Sequence, residues 1–122
     1  MQFVEIDSGT LALSAATPGQ CGTASSPLGD CTGVTEVALP PPPSSCNSSH
    51  VSGLAVQGGS TSRIWFDNSL SNQVGAYTPA TNQFAVDTLS CGVHPHDGLN
   101  LDPALHVWWD EEFANALGEL TQ

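Results

Sequence analysis

Two stretches decide the fold: IWFDNSLSNQVGAYT (64–78) and VWWDEEFANALGELT (107–121). Laid over one another at a constant offset of 43, they place Trp65 on Trp108, Phe66 on Trp109 and Asp67 on Asp110. Further along, Asn72 falls on Asn115, Gly75 on Gly118 and Thr78 on Thr121. Upstream, SGLAV (52–56) pairs with DGLNL (97–101) at an offset of 45, as do Cys46 and Cys91. The first copy carries a two-residue longer turn, QGGSTSR (57–63). Earlier still, VEIDSGTLAL (4–13) resembles the tail of a unit, GAYTPATNQFAV (75–86). Self-similarity at this period is the signature of a repeat architecture.

Each copy reads as strands. GLAV, RIWFD, QVGAY and QFAVDTL alternate or run apolar for a few residues, with Gly, Asn, Ser and Pro between them. Four short strands in roughly 43 residues is the arithmetic of a β-propeller blade. By propensity DEEFANALGEL (110–120) could pass for a short helix. Its alignment with DNSLSNQVGAY (67–77), a poor helix former, decides for strand, turn and strand. The expected fold class is all-β: four-stranded antiparallel blades in an incomplete ring, since closure takes about four to eight blades. Residues 2–13 read as the end of a blade and 14–49 as a Cys/Pro-rich insertion. Residues 50–91 then form a full blade and 92–122 a partial one. Within the insertion, PPPP (40–43) reads as a stiff polyproline II spacer. The open blade faces call for the remaining blades of the same propeller, or other copies of this chain.

The charge balance excludes several partners. Twelve acids stand against one base, Arg63, for a net charge of −11 with only 11% of residues charged. With almost no cation to meet phosphate, neither nucleic acid nor anionic membrane is an expected partner. No apolar run approaches the ~20 residues of a spanning helix. The absence of lysine, the four cysteines and the Ser/Thr-rich loops point to an extracellular or periplasmic location. LALSAA (11–16) is too short for a signal-peptide core and lacks a basic flank, so the export signal is expected outside this chain.

The second copy adds residues that the first lacks. His94 and His96 flank Pro95 before the inner strand, and imidazoles at i, i+2 about a proline can point to one side. That suits a metal ion, or a general base working with a partner. Asp110, Glu111 and Glu112 read either as a solvated turn or as oxygen ligands, with Glu111 and Glu112 the candidates to hold Mg²⁺ or Ca²⁺. Trp65 and Trp108 are expected to pack between blades. Trp109, paired with Phe66, faces the other way, and with His94 it is a candidate substrate contact. Recurrence gives Asp67 and Asp110 a structural task, accepting backbone N–H groups in the following turn. Asn72 and Asn115 are expected to close turns, and Gly75 and Gly118 to permit close blade packing. The four cysteines allow three pairings. Cys21 and Cys31 enclose a short loop suited to a local bridge, leaving Cys46 and Cys91, which must approach to Cα distances of about 4.4–6.8 Å.

PHDGLNLDPALHVWWDEEFANALGEL (95–120) resembles the blade signature of the virginiamycin B lyase-like propellers. Their units read roughly P-H-G-I, a D-G turn, W-F-T-E and N-x-I-G-R. NHL and SMP-30/gluconolactonase-like propellers share the general pattern. The likeness covers about 50–122, and more weakly 2–13. It implies a lyase in which His96 is the acid/base for C–O elimination, opening an ester of a cyclic peptide. Glu111 would be a metal or substrate ligand, with Mg²⁺ assisting. The chain departs from the pattern at several places: Asp97 is inserted, and one extra residue precedes Trp108. Val51 and Asn68 stand at the equivalent places of the first copy, with His50 one position out of register. Ala76 and Glu119 replace the arginine. A non-catalytic propeller segment, binding a ligand or protein at the cell surface, is the other expectation.

Overall fold

Short apolar runs broken by Gly, Asn and Pro favour strands, and the computed structural model is all-β, with no α-helix among the described residues. It describes residues 2–6, 34–43 and 48–122. The chain divides into two units, Met1–Pro40 and Pro41–Gln122.

In the first unit, β1 (Gln2–Ile6) pairs antiparallel with β2 (Val34–Ala38), Gln2 opposite Ala38 and Ile6 opposite Val34. The strand VTEVA lies inside the stretch read from the sequence as an insertion. Pro40–Pro43 carries no strand. Cys21, Cys31 and Cys46 lie outside the described residues, and so do the bridges expected of them. Cys91 is described and is not a free thiol.

The second unit holds two antiparallel sheets. The first is a meander of β3 (Val51–Gln57), β4 (Arg63–Asn68), β5 (Gln73–Thr78) and β6 (Gln83–Thr88). The second is β7 (Asn100–Leu101), β8 (Val107–Glu111) and β9 (Ala116–Leu120). Its β8–β9 hairpin replaces the helix that DEEFANALGEL could form by propensity. Asn72, Asn82 and Asn115 take left-handed φ values of 53°, 52° and 51° at the hairpin turns. Asparagine accepts this region more readily than most residues. A 3-10 turn, Ser69–Ser71, precedes Asn72.

The two sheets share several pairings. Phe66 lies opposite Gly75, as Trp109 lies opposite Gly118. A Cβ added at Gly75 would sit 2.6 Å from Phe66 Cζ, and one at Gly118 would sit 2.0 Å from Trp109 Cε2. The glycines therefore make room for the aromatic ring of their own sheet. Asp67 Oδ1 accepts the N–H groups of Ser52 (3.3 Å) and Gly53 (2.9 Å) and the Ser52 hydroxyl (2.6 Å). Asp110 Oδ1 likewise accepts Gly98 N–H at 2.8 Å. Both aspartates thus tie β4 or β8 to the preceding inner segment, not to the following turn. The four-stranded sheet and its partial successor make an incomplete, propeller-like all-β fold.

Between the sheets, Trp65, Val74 and Ala76 pack with Leu99, Val107 and Trp109. Fully burying an aliphatic or aromatic side chain of this size stabilises by roughly 1.5–3 kcal/mol. The outward faces lack that cover. Leu99 is 8% exposed, whereas its counterpart Leu54 is 55% exposed. Val74 is 2% exposed, whereas its counterpart Leu117 is 74% exposed.

Candidate metal-binding site

The segment between the two sheets is anchored from both sides. Asn72 closes the β4–β5 turn, and its Oδ1 accepts the N–H groups of Gly92 (3.1 Å) and His94 (2.7 Å). Its carbonyl accepts Leu89 N–H at 2.8 Å. On the other side, His94 O accepts Glu112 N–H (3.1 Å) and Asp110 O accepts His96 N–H (3.3 Å). Pro95, fully buried, bridges Glu111. His94 (φ 54°) and Asp97 (φ 53°) are left-handed, so the backbone turns sharply on either side of Pro95–His96. Such conformations persist when the surroundings over-determine them, as these bonds do.

The result brings the histidines together. The His94 and His96 rings stack with centroids 5.1 Å apart and planes at 15°. His94 also stacks on Phe113 at 4.2 Å. Its Nε2 lies 3.4 Å from Glu112 Oε2, and His96 Nδ1 lies 4.0 Å from the same oxygen. One ligand atom from each of His94, His96 and Glu112 falls within 4.8 Å of the others. Among the described residues this is the one group of three or more His, Cys, Asp or Glu side chains so arranged. Both histidines are half-buried and Glu112 is exposed. His96 Nδ1 also meets Asp97 Oδ2 at 3.2 Å.

The other expected site residues fall elsewhere. Strand alternation puts Trp109 and Glu111 on one face of β8, where Trp109 Nε1 donates to Glu111 Oε1 at 3.2 Å. Glu112, just past the strand, turns to the histidines instead. Trp109 is buried in the core between the sheets. Asp110, Glu111 and Glu112 line an open depression of about 420 Å³ together with Asn115, Ala116 and Leu117. Trp108 is half-buried and donates its indole N–H to Asp102 Oδ2 at 3.2 Å.

Sequence alignment set His50 one position out of register, but the backbone puts it in the place of His94. His50 O accepts Ser69 N–H at 2.8 Å just as His94 O accepts that of Glu112. A bulge between Val51 and Leu54, and the extra Asp97 in the second copy, shift the count without shifting the place. The shared x-His signal ahead of each inner strand would have found it had one slipped residue been allowed.

A second cluster lies apart from this group in the sequence. His106 Nδ1 stands 3.2 Å from Asp102 Oδ2 and 3.0 Å from Glu119 Oε1. Burial alone would push the Asp102 carboxyl up. The Trp108 indole N–H, the His106 and Ala104 backbone N–H groups and the His106 charge outweigh it and hold the carboxyl below its ordinary value.

Comparisons with family models, curated proteins and solved structures return no match for this chain.

Proposed function

We propose that the chain supplies successive blades of a secreted, propeller-type protein and binds a divalent cation through His94, His96 and Glu112. The observation that carries this reading is the convergence of their ligand atoms within 4.8 Å, on a segment held by Asn72 and the end of β8. Neutral imidazoles and a carboxylate are competent ligands without further ionisation near neutral pH. Calorimetric titration of the full chain with divalent cations tests it. One ion per chain is expected, and loss of that binding in His94→Ala. Binding unchanged by His94→Ala rejects the site. The exposed Leu54 and Leu117 faces suit further blades, from the same protein or from other copies of this chain.

A second reading takes up the lyase resemblance, and one observation favours it: the 3.2 Å pairing of His96 Nδ1 with Asp97 Oδ2. If Nδ1–H donates to Asp97, Nε2 is the basic nitrogen. It could take the proton from the carbon next to the one that bears the ester's alkyl oxygen. The C–H pair becomes a C=C bond as the alkyl C–O bond breaks, and the carboxylate leaves with that bond's electrons. The Mg²⁺ that the resemblance implies does not suit this cluster, whose donors are two ring nitrogens and one carboxylate. Magnesium prefers octahedral oxygen ligation, so no step is drawn through it. Ester-opening activity lost in His96→Gln would support the lyase reading, and activity that survives replacement of both His96 and Glu111 would reject it. A propeller that binds its ligand without turnover is what remains if the cation binds and no ester opens.

A further inference from the structure

Resting on the reading of His94, His96 and Glu112 as a cation site, we infer that His50 completes it. The centre then takes three imidazoles and one carboxylate, binds an ion of the zinc class, and spans two successive blades.

Position comes first. His50 occupies in the first blade the place of His94 in the second, and its ring centroid lies 6.1 Å from that of His96. The His94 and His96 centroids are 5.1 Å apart. Two imidazoles bound to one tetrahedral ion at about 2.0–2.1 Å have ring centres roughly 5 Å apart. His96 therefore stands between two rings, each within about 1 Å of that separation. The His50 ring is exposed and can make up the difference by side-chain rotation.

The backbone beneath His50 is fixed. Its N–H donates to Oδ1 of buried Asn68 at 2.7 Å, and the Asn68 amide in turn donates to Ser49 Oγ and Gln73 Oε1. Ser69 Oγ lies 3.0 Å from His50 O, to which it donates, and 3.4 Å from His50 Nδ1. In the tautomer that keeps its proton on Nδ1, Nε2 carries the lone pair a metal ion needs.

The donor set chooses the ion. Three ring nitrogens and one carboxylate match tetrahedral Zn²⁺ and its first-row neighbours, and poorly match Mg²⁺ or Ca²⁺, which take oxygen. The four donors come from the segment before β3, the segment between the sheets and the turn after β8. A bound ion would thus tie the first sheet to the second and stabilise the pair by mass action.

Calorimetry of the 122-residue chain with Zn²⁺, alone and in the presence of excess Mg²⁺, tests the inference. It should be repeated on His50→Gln, His94→Gln and, as a control, His106→Gln. One Zn²⁺ per chain is expected, undisturbed by Mg²⁺, with affinity lowered about 10–100-fold or more in His50→Gln and His94→Gln and unchanged in His106→Gln. The Co²⁺ form should show a tetrahedral visible band that weakens in His50→Gln. Zinc binding lost in His94→Gln but unaltered in His50→Gln overturns the two-blade centre and leaves the three-residue site standing. Equal competition by Mg²⁺ overturns the assignment of ion class. A wild-type chain that binds no divalent cation at all overturns the underlying site as well.

Discussion

Asp67 shows what a recurring residue is for. It is wholly buried, and its Oδ1 takes three donors from Ser52 and Gly53 while Oδ2 has none. Replacing it by alanine leaves buried N–H groups without acceptors. Asp67→Ala should lower stability by about 1–3 kcal/mol or more, read from urea denaturation; a change under about 0.5 kcal/mol would deny it the role. The alignment identified Asp67 and Asp110 as structural because both copies carry them. It named the wrong partners, since a linear repeat does not show which neighbouring segment a strand residue leans toward. Asp102 answers to pH. Its carboxyl is held below the ordinary 3.8 in the folded state, so its contribution is fully present above that value and lost as pH falls through the lower folded value. Wild type should therefore exceed Asp102→Asn in stability at neutral pH, with the gap closing in acid. A gap that stays constant across the range contradicts this. Glu112 was among the candidate ligands, but the split between it and Glu111 was not legible. It depends on where β8 ends, and boundaries one residue apart send a side chain to opposite faces.

At the scale of the element, the β8–β9 hairpin is the sharpest case. Its sequence has acceptable helix propensity, and the copy at 67–77 does not. The shared pattern of aromatic, Asp, Asn and Gly overrides local preference because Trp109 needs the space over Gly118. Gly118→Ala and Gly75→Ala should each destabilise by about 1–3 kcal/mol through overpacking. Gly58→Ala has no atom within 4 Å of its new Cβ and should be near neutral in the same thermal melts. Equal effects at Gly58 and Gly118 would remove the packing explanation. The strands β3, β4, β5 and β6 were legible because each is bounded by turn residues and pairs with its chain neighbour. By contrast, β2 was not, because its partner β1 lies far back along the chain.

Across the second unit, two sheets share one core and leave Leu54 and Leu117 on exposed faces. The segments ahead of the two sheets set the His50 ring 6.1 Å from that of His96. The sequence displayed His94 and His96 together, but His50 became visible only when backbone hydrogen bonds absorbed the one-residue slip at Asp97. His106, held between Asp102 and Glu119, is a built-in comparison. The most direct measurement is a long-range ¹H–¹⁵N spectrum of the four imidazoles during titration with Zn²⁺ at fixed pH. The ring nitrogens of His50, His94 and His96 should shift together and saturate at one equivalent, while those of His106 stay in place. A uniform response of all four rings, or a response led by His106, would contradict a metal centre shared by the two blades.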